Sequence, residues 1–126
     1  MQINKYVNSE KDIHVRIHQF VVDCFINVVR NIPKTLENTP IIKQISASLT
    51  SVGANDQEAN AAETNRDFIS KYTIVKKEAN ETIYWLNIIS DTKILSSEKV
   101  KPYVLELEEI FLIISKIIIN SKKKLL

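Results

Sequence analysis

The fold of this chain is decided by residues 49–89, which read LTSVGANDQEANAAETNRDFISKYTIVKKEANETIYWLNII. The first part of the stretch is rich in small and short polar residues, whereas the second part carries aromatic residues such as Phe68, Tyr72 and Trp85. Two helices of this kind cannot bury both of their faces against each other alone. The rest of the chain is therefore expected to supply further helices.

Composition limits the class of protein. The 126 residues, 44% of them hydrophobic, suffice for one domain with a core, and a single glycine argues against an all-β fold. A net charge of +2 does not indicate a strongly basic nucleic-acid binder. One cysteine excludes a disulfide within the chain, and the N-terminal residues lack the apolar segment of a signal peptide. The single Cys24 fits a reducing compartment, so we expect a cytoplasmic protein, and since no apolar run approaches the roughly 20 residues of a membrane span, we expect it to be soluble.

Apolar residues spaced three and four apart predict four helices. Thr39 is expected to cap the second helix, with Pro40 at its first position. Thr64 or Asn65 is expected to cap the third helix, and Ser96 or Ser97 the fourth. Connections of fewer than ten residues favour an antiparallel up-down-up-down four-helix bundle. The predicted helices, all in a single domain of residues 1–126, cover residues 10–30, 40–62, 65–89 and 97–123.

The first and fourth helices each carry a second apolar stripe with a spacing of seven residues. A helix that is apolar on two sides is either buried in a large core or packed against another subunit, and a chain of this length does not form a large core. Only a narrow strip of the first helix, which includes Arg16, is left strongly polar. The alternative is that these residues are simply tolerated on an exposed surface. The predicted oligomer interface consists of Val15, Val22, Val29, Leu105, Leu112 and Ile119.

A ridge of polar residues borders the apolar face of the second helix. The ridge, which includes one glutamate of the third helix, consists of Ser48, Ser51, Asn55, Glu58 and Glu78. We interpret it as a buried hydrogen-bond network that fixes the register of the helices, with Lys71, Glu78 or Glu81 as partners. The alternative is a site for a small ligand or an RNA hydroxyl.

Two further groups of residues are candidates for chemistry. His14 and His18 have a spacing that can chelate a transition metal, but no third ligand is apparent, so we predict two solvated or interface histidines and no metal site. Glu106, Glu108 and Glu109 are placed on the solvated sides of the fourth helix rather than in an acid–base pair. The sequence contains no motif of a phosphate-binding loop or a nucleophilic triad. We therefore predict a non-enzyme without a cofactor.

Lysines gather at the C-terminal end of the fourth helix, where cations interact favourably with the last carbonyl groups. In a monomer this is ordinary capping, whereas in a ring the cluster would repeat around the axis as an anion-binding rim. The candidate nucleic-acid-binding residues are Lys116, Lys122, Lys123, Lys124, Lys76, Lys77 and Arg66.

Three blocks of sequence, TSVGAN at 50–55, DFISK at 67–71 and ETIYWL at 81–86, together resemble the bacterial four-helix-bundle family named for 23S ribosomal RNA intervening sequences. The resemblance covers most of the chain and implies an antiparallel four-helix bundle that assembles as a homopentameric ring. For some relatives it implies a role as accessory protein to the reverse transcriptase of diversity-generating retroelements, with basic surfaces that hold nucleic acid. Relatives often carry basic residues where Ala47 and Gln57 stand here. Because phosphate binding depends on such cations, their absence weakens the nucleic-acid inference for the second helix.

Three functions are compatible with these observations, in the following order. The first is a non-catalytic oligomeric binding or scaffold protein, whose partners are copies of itself and RNA or DNA, or a nucleic-acid-processing protein. The alternative is a purely structural protein–protein interaction module with no nucleic-acid role. An enzyme that uses Ser48, Asn55 and Glu58 of the polar ridge ranks third.

Overall fold

Four α-helices form the fold, and no β-strand occurs among residues 13–125, which are the residues that the computed structural model describes. The predicted all-α class with four helices is confirmed. A 3-10 turn, Val29–Asn31, follows the first helix. The helices are α1, Ile13–Asn27; α2, Thr39–Asn60; α3, Asn65–Asp91; and α4, Ser97–Lys123.

Capping side chains determine where two of the helices begin. The backbone of Thr64 is extended and its hydroxyl accepts a hydrogen bond from the Asp67 N–H at 3.1 Å, which starts α3. Ser96 does the same for the Lys99 N–H at the start of α4. The start of α2 differs from the prediction, because Thr39 is the first helical residue and Asn38 precedes it without a capping side-chain bond. Helix α2 also ends two residues before the predicted residue 62, and α3 continues two residues beyond residue 89.

The end of α1 corrects the predicted interface. Helix α1 stops at Asn27 instead of residue 30, and its predicted start at residue 10 lies outside the described residues. Val29 belongs to the 3-10 turn and is only 5% exposed, packed in the core of its own chain. A 3-10 turn has three residues per turn, so the α-helical spacing from Val15 and Val22 does not continue to Val29. Val29 therefore does not belong to an outward-facing stripe.

Polar contacts between helices fix which ends lie together. His14, near the start of α1, lies 2.8 Å from Asp56, near the end of α2. Asn65, at the start of α3, donates to the carbonyl oxygen of Ser121, near the end of α4, at 2.8 Å. Each bond thus joins the start of one helix to the end of another. Between the helices lies an apolar core that includes Ile17, Phe20, Ile45, Val52, Tyr72, Val75, Leu86, Leu107 and Ile114.

Gly53 lies where α2 approaches α1. A Cβ atom built on this glycine would stand 3.4 Å from Cγ2 of Val21. A methyl group fits at that distance, whereas a branched side chain would have to displace Val21. The backbone of α2 therefore passes close to the side chains of α1.

The outer face of α4 leaves apolar side chains uncovered. Leu105 is 56% exposed, Leu112 is 67% exposed and Ile119 is 56% exposed, and Val15 on α1 is 52% exposed. Among residues 13–125, no helix is both long enough and apolar enough to cross a membrane.

Candidate functional site

A buried carboxylate joins three helices. The side chain of Asp56 on α2 is completely buried, and its Oδ1 accepts a hydrogen bond from the Tyr72 hydroxyl of α3 at 2.8 Å. The same oxygen lies 2.8 Å from Nδ1 of His14 on α1, while Oδ2 has no hydrogen-bond partner among the described residues. Burial first, and then the charge of Asp56, raise the pKa of Tyr72 above its ordinary value, so the hydroxyl keeps its proton as a donor.

Asp56 and Tyr72 were not among the predicted polar sites. The signal was present, because Asp56 follows Val52 by four residues and precedes Ala59 by three, and both of these residues are buried on the core side of α2. An aspartate on such a stripe needs buried hydrogen-bond donors. His14, predicted to be solvated or at an interface, is instead half-buried against this carboxylate.

The predicted polar ridge divides into separate pairs. Ser48 is buried, and its hydroxyl oxygen lies 2.8 Å from the hydroxyl oxygen of Thr82 on α3, within hydrogen-bond distance. Ser51 accepts from the side-chain amide of Asn55 at 2.9 Å. The ridge therefore does not form one continuous surface, and Thr82 was not predicted as the partner of Ser48.

The glutamates of the ridge contact other residues than its serines and asparagine. Glu58 is paired with Lys71 across α2 and α3 at 3.6 Å, and its side chain is 58% exposed. Lys71 was one of the predicted partners. Glu78 contributes its backbone carbonyl to a 2.8 Å hydrogen bond from Thr82, and Glu81 accepts from the indole N–H of Trp85 at 3.2 Å.

A second buried polar contact connects α1 to α4. Nε of Arg16 donates to Oε2 of Glu106 at 2.7 Å and Nη2 donates to Oε1 at 2.8 Å, which is a bidentate pair. Nη2 also lies 3.0 Å from Glu109, whose side chain is largely exposed. The hydrogen bond to Glu106 raises the pKa of Arg16, so the guanidinium stays charged. The placement of Arg16 in a polar strip and of Glu106 on a solvated side was wrong. Each side chain neutralises the charge of the other, so both are buried between α1 and α4.

His14 and His18 line one groove between α1 and α2. The other lining residues are Val15, Gln57 and Asn60, and we call this feature the α1/α2 groove. His18 is exposed, whereas His14 is anchored by Asp56. Within residues 13–125, no group of three or more His, Cys, Asp or Glu side chains is arranged to hold a metal ion. Cys24 is a free thiol in the core, where burial raises its pKa to about 12.

The basic candidates occupy two regions. Lys122 and Lys123 form the last turn of α4 and Lys124 follows them, and the Asn65 to Ser121 hydrogen bond brings Arg66 to the same end of the molecule. Lys76 and Lys77 lie roughly 15 Å farther along α3, at 1.5 Å per residue. There they line a groove with Thr73, Asn80 and Phe111, and Nζ of Lys76 lies 5.4 Å from the centre of the Phe111 ring. Lys116 is exposed on α4.

Part of the predicted oligomer interface is exposed to solvent in the single chain. Leu105, Leu112 and Ile119 are all more than half exposed on α4 and succeed one another every two turns. On α1, Val15 is exposed and Val22 is half-buried. Of the predicted interface residues, those on α4 are therefore the most exposed, and we call these three residues the α4 stripe.

Comparison with known proteins identifies relatives. The model of the family described as 23S rRNA-intervening sequence protein matches residues 10–116. A crystal structure from Bacteroides thetaiotaomicron, described as a protein with unknown function from the S23 ribosomal protein family, is 33% identical in sequence. The match has a TM-score of 0.70 and covers 87% of this chain and 98% of that chain. No curated protein matches the sequence.

Proposed function

Because this chain belongs to the 23S rRNA-intervening sequence protein family, we propose that it is a non-catalytic scaffold protein that assembles with copies of itself and binds RNA or DNA through basic surfaces. The proposal includes an antiparallel up-down-up-down arrangement of the helices and a homopentameric ring. The observation that carries it is the α4 stripe, three large apolar side chains that the chain's own helices leave uncovered.

The α4 stripe favours self-association on energetic grounds. Covering the exposed part of each of its side chains would contribute roughly 1–2 kcal/mol. The stripe follows the same helix over four turns, so a helix of a second copy can lie along it. By contrast, the buried polar groups of Asp56 and Arg16 are bonded to neighbouring helices, which supports a structural role for them.

Repetition of charge supports nucleic-acid binding. One chain carries a net charge of +2, but a ring would repeat the Lys122, Lys123 and Lys124 cluster and Arg66 on one rim. Electrostatic binding increases with the number of phosphates that are neutralised together, and it falls steeply with salt. The expected binding is therefore weak, tolerant of sequence and sensitive to ionic strength.

The assembly is tested by light scattering of the wild type and two variants. The wild type should have several times the 14.5 kDa mass of one chain, and Leu112→Lys should dissociate it because a lysine would be buried in the interface. Leu36→Lys is the matched control, since Leu36 is 92% exposed in the loop before α2. A wild-type monomer at micromolar concentration, or an assembly that Leu112→Lys leaves intact, would refute the proposed interface.

Nucleic-acid binding is tested by titrating a labelled structured RNA at low and at physiological salt. The triple variant Lys122→Gln, Lys123→Gln, Lys124→Gln should lose most of the binding seen at low salt. The matched control is a second triple variant, Lys43→Gln, Lys99→Gln, Lys101→Gln, which removes the same charge from three exposed lysines elsewhere.

Each outcome of the titration decides one part of the proposal. Equal losses in the two triple variants would show that net charge alone binds the RNA and that the cluster has no special role. Absence of binding by the wild type at low salt would refute the nucleic-acid role and favour the protein-interaction module.

A further inference from the structure

A groove between α3 and α4 combines positive charge with an aromatic ring. Its lining consists of Thr73, Lys76, Lys77 and Asn80 of α3 and Phe111 of α4, and we call it the α3/α4 groove. Among residues 13–125, no carboxylate belongs to this lining. The groove therefore favours a ligand that is negatively charged and has an apolar part.

The polar side chains of the groove are not occupied by other parts of the fold. Within the described residues, neither Lys76 nor Lys77 has a salt bridge, and the side-chain amide of Asn80 makes no hydrogen bond. Lys76 instead holds its Nζ atom 5.4 Å from the centre of the Phe111 ring. A cation–π contact is weak where water reaches it, whereas a phosphate attracts an ammonium group strongly. Lys76 can thus leave the ring for a phosphate and expose the ring to the ligand.

The half-buried ring of Phe111 gives the groove a flat apolar surface. Nucleobases of any sequence stack on such rings, and lysines beside the ring then neutralise the phosphates. In a duplex each base is already stacked between its neighbours, so its faces are covered. Only an unpaired base can therefore lie on Phe111.

Exposed side chains continue the groove along α3. Lys77, Asn80 and Tyr84 follow one another at steps of three and four residues, so they share one face of the helix, and all three are exposed. Tyr84 is 56% exposed and lies roughly 10 Å from Lys77 along the helix, at 1.5 Å per residue. A second exposed ring on the same path favours a strand of several nucleotides over a single nucleotide.

We propose that the α3/α4 groove and Tyr84 bind a single-stranded segment of nucleic acid. Its bases stack on Phe111 and Tyr84, and its phosphates are held by Lys76 and Lys77. The inference rests on the proposed nucleic-acid binding and adds the type of strand that this surface selects. Binding by charge alone predicts the opposite preference, because the backbone of a duplex has a denser charge than that of a single strand.

The test measures the fluorescence anisotropy of a labelled RNA strand of about 16 nucleotides, alone and in a duplex with its complement. The wild type should bind the single strand roughly 10-fold more tightly than the duplex. Phe111→Leu keeps an apolar side chain but removes the flat ring. It should weaken single-strand binding by about 10-fold without changing the dependence on salt. Lys77→Gln should instead make the slope of affinity against salt shallower by about 0.7, the value for one phosphate of a single strand.

Matched controls are available for both kinds of change. Phe25→Leu removes another half-buried ring that lies beside a cation, since the Arg30 guanidinium is 6.0 Å from its centre. Lys101→Gln removes an exposed lysine of α4. Neither control should change the preference for the single strand.

The assembly and fold of Phe111→Leu are checked by light scattering and circular dichroism. Tyr84→Leu changes an exposed residue and should weaken single-strand binding by about 5-fold, so it decides the question if Phe111→Leu misfolds.

Three results would overturn the inference and leave electrostatic binding of nucleic acid in place. The first is a wild type that binds the duplex as tightly as the single strand. The second is unchanged single-strand affinity in Tyr84→Leu and in a folded Phe111→Leu. The third is equally tight binding of an acidic peptide with the charge of the RNA strand, which would show that the groove selects charge without stacking. A wild type that binds neither form of RNA at low salt would refute both this inference and the proposed nucleic-acid role.

Discussion

Among the polar contacts of the fold, the buried pair of Arg16 and Glu106 should lose the most free energy of unfolding when one partner is replaced. Glu106→Gln keeps the size of the side chain but leaves the Arg16 guanidinium without its bidentate carboxylate. The two side chains are only 9% and 6% exposed, so little water can replace the lost partner. Removing one member of a buried ion pair typically costs about 3–5 kcal/mol, because the other charge stays buried. Glu109 lies 3.0 Å from the same guanidinium and should hold the cost near the lower end.

The matched control is Glu109→Gln on the same helix, opposite the same arginine. The Glu109 side chain is 63% exposed, so its pair with Arg16 is largely screened by water and should contribute less than about 1 kcal/mol. Both variants are unfolded in urea at one protomer concentration, because any oligomer makes the free energy of unfolding depend on concentration. At a typical slope of about 2 kcal/mol per M, a cost near 3 kcal/mol should lower the urea midpoint of Glu106→Gln by about 1.5 M.

A double variant completes the experiment. Arg16→Met with Glu106→Leu replaces both charges by apolar side chains, and it should be close to the wild type in stability or above it, since neither desolvation cost remains. The argument would be refuted by Glu106→Gln and Glu109→Gln having the same urea midpoint. It would also be refuted by a double variant less stable than Glu106→Gln.

Three further predictions concern the interior. Gly53→Ala should raise the free energy of unfolding by up to about 1 kcal/mol, because its methyl group only touches Val21, whereas Gly53→Leu should lower it by about 1–3 kcal/mol; equal thermal midpoints of the two variants would show that α1 does not approach closely. Tyr72→Phe should cost about 1–3 kcal/mol in urea unfolding, since Asp56 loses a hydroxyl donor, and a neutral result would mean that water replaces it. The pKa of Cys24 is raised from 9.0 in the unfolded chain to about 12 in the fold, so the stability it contributes is complete below pH 9 and disappears as the pH rises to about 12; Cys24→Ala should flatten that part of the pH profile of unfolding, and an unchanged profile would contradict the assignment.

The sequence was sufficient for the parts of the fold that depend on local patterns. Phe20 and Cys24, or Val75 and Ala79, repeat on one face of a helix, and each repeat belongs to an observed core face. Thr64 and Ser96 were among the candidate caps because a hydroxyl before an apolar repeat can bond the first free N–H groups. These signals need only neighbouring residues.

The polar interior could not be predicted in the same way. Arg16 and Glu106 are 90 residues apart, and either one alone is a typical surface residue. Burial of the two charges is favourable only when they are paired, and no local sequence pattern indicates that these two residues are in contact. Asp56 was assigned no role for the same reason, since its donors come from two other helices. Val29 was placed wrongly because the change from α-helix to 3-10 turn has no clear local signal.

The short connection between α2 and α3 has a consequence for the order of folding. Only residues 61–64 separate these helices, so closing this pair costs little chain entropy, and Tyr72 can reach Asp56 before α1 has docked. The charged partners of α1, Asp56 on α2 and Glu106 on α4, would then be facing water until His14 and Arg16 arrive. In a chain that begins folding with α2 and α3, these two carboxylates stay hydrated until α1 docks, so the docking of α1 is the step at which both of them lose water.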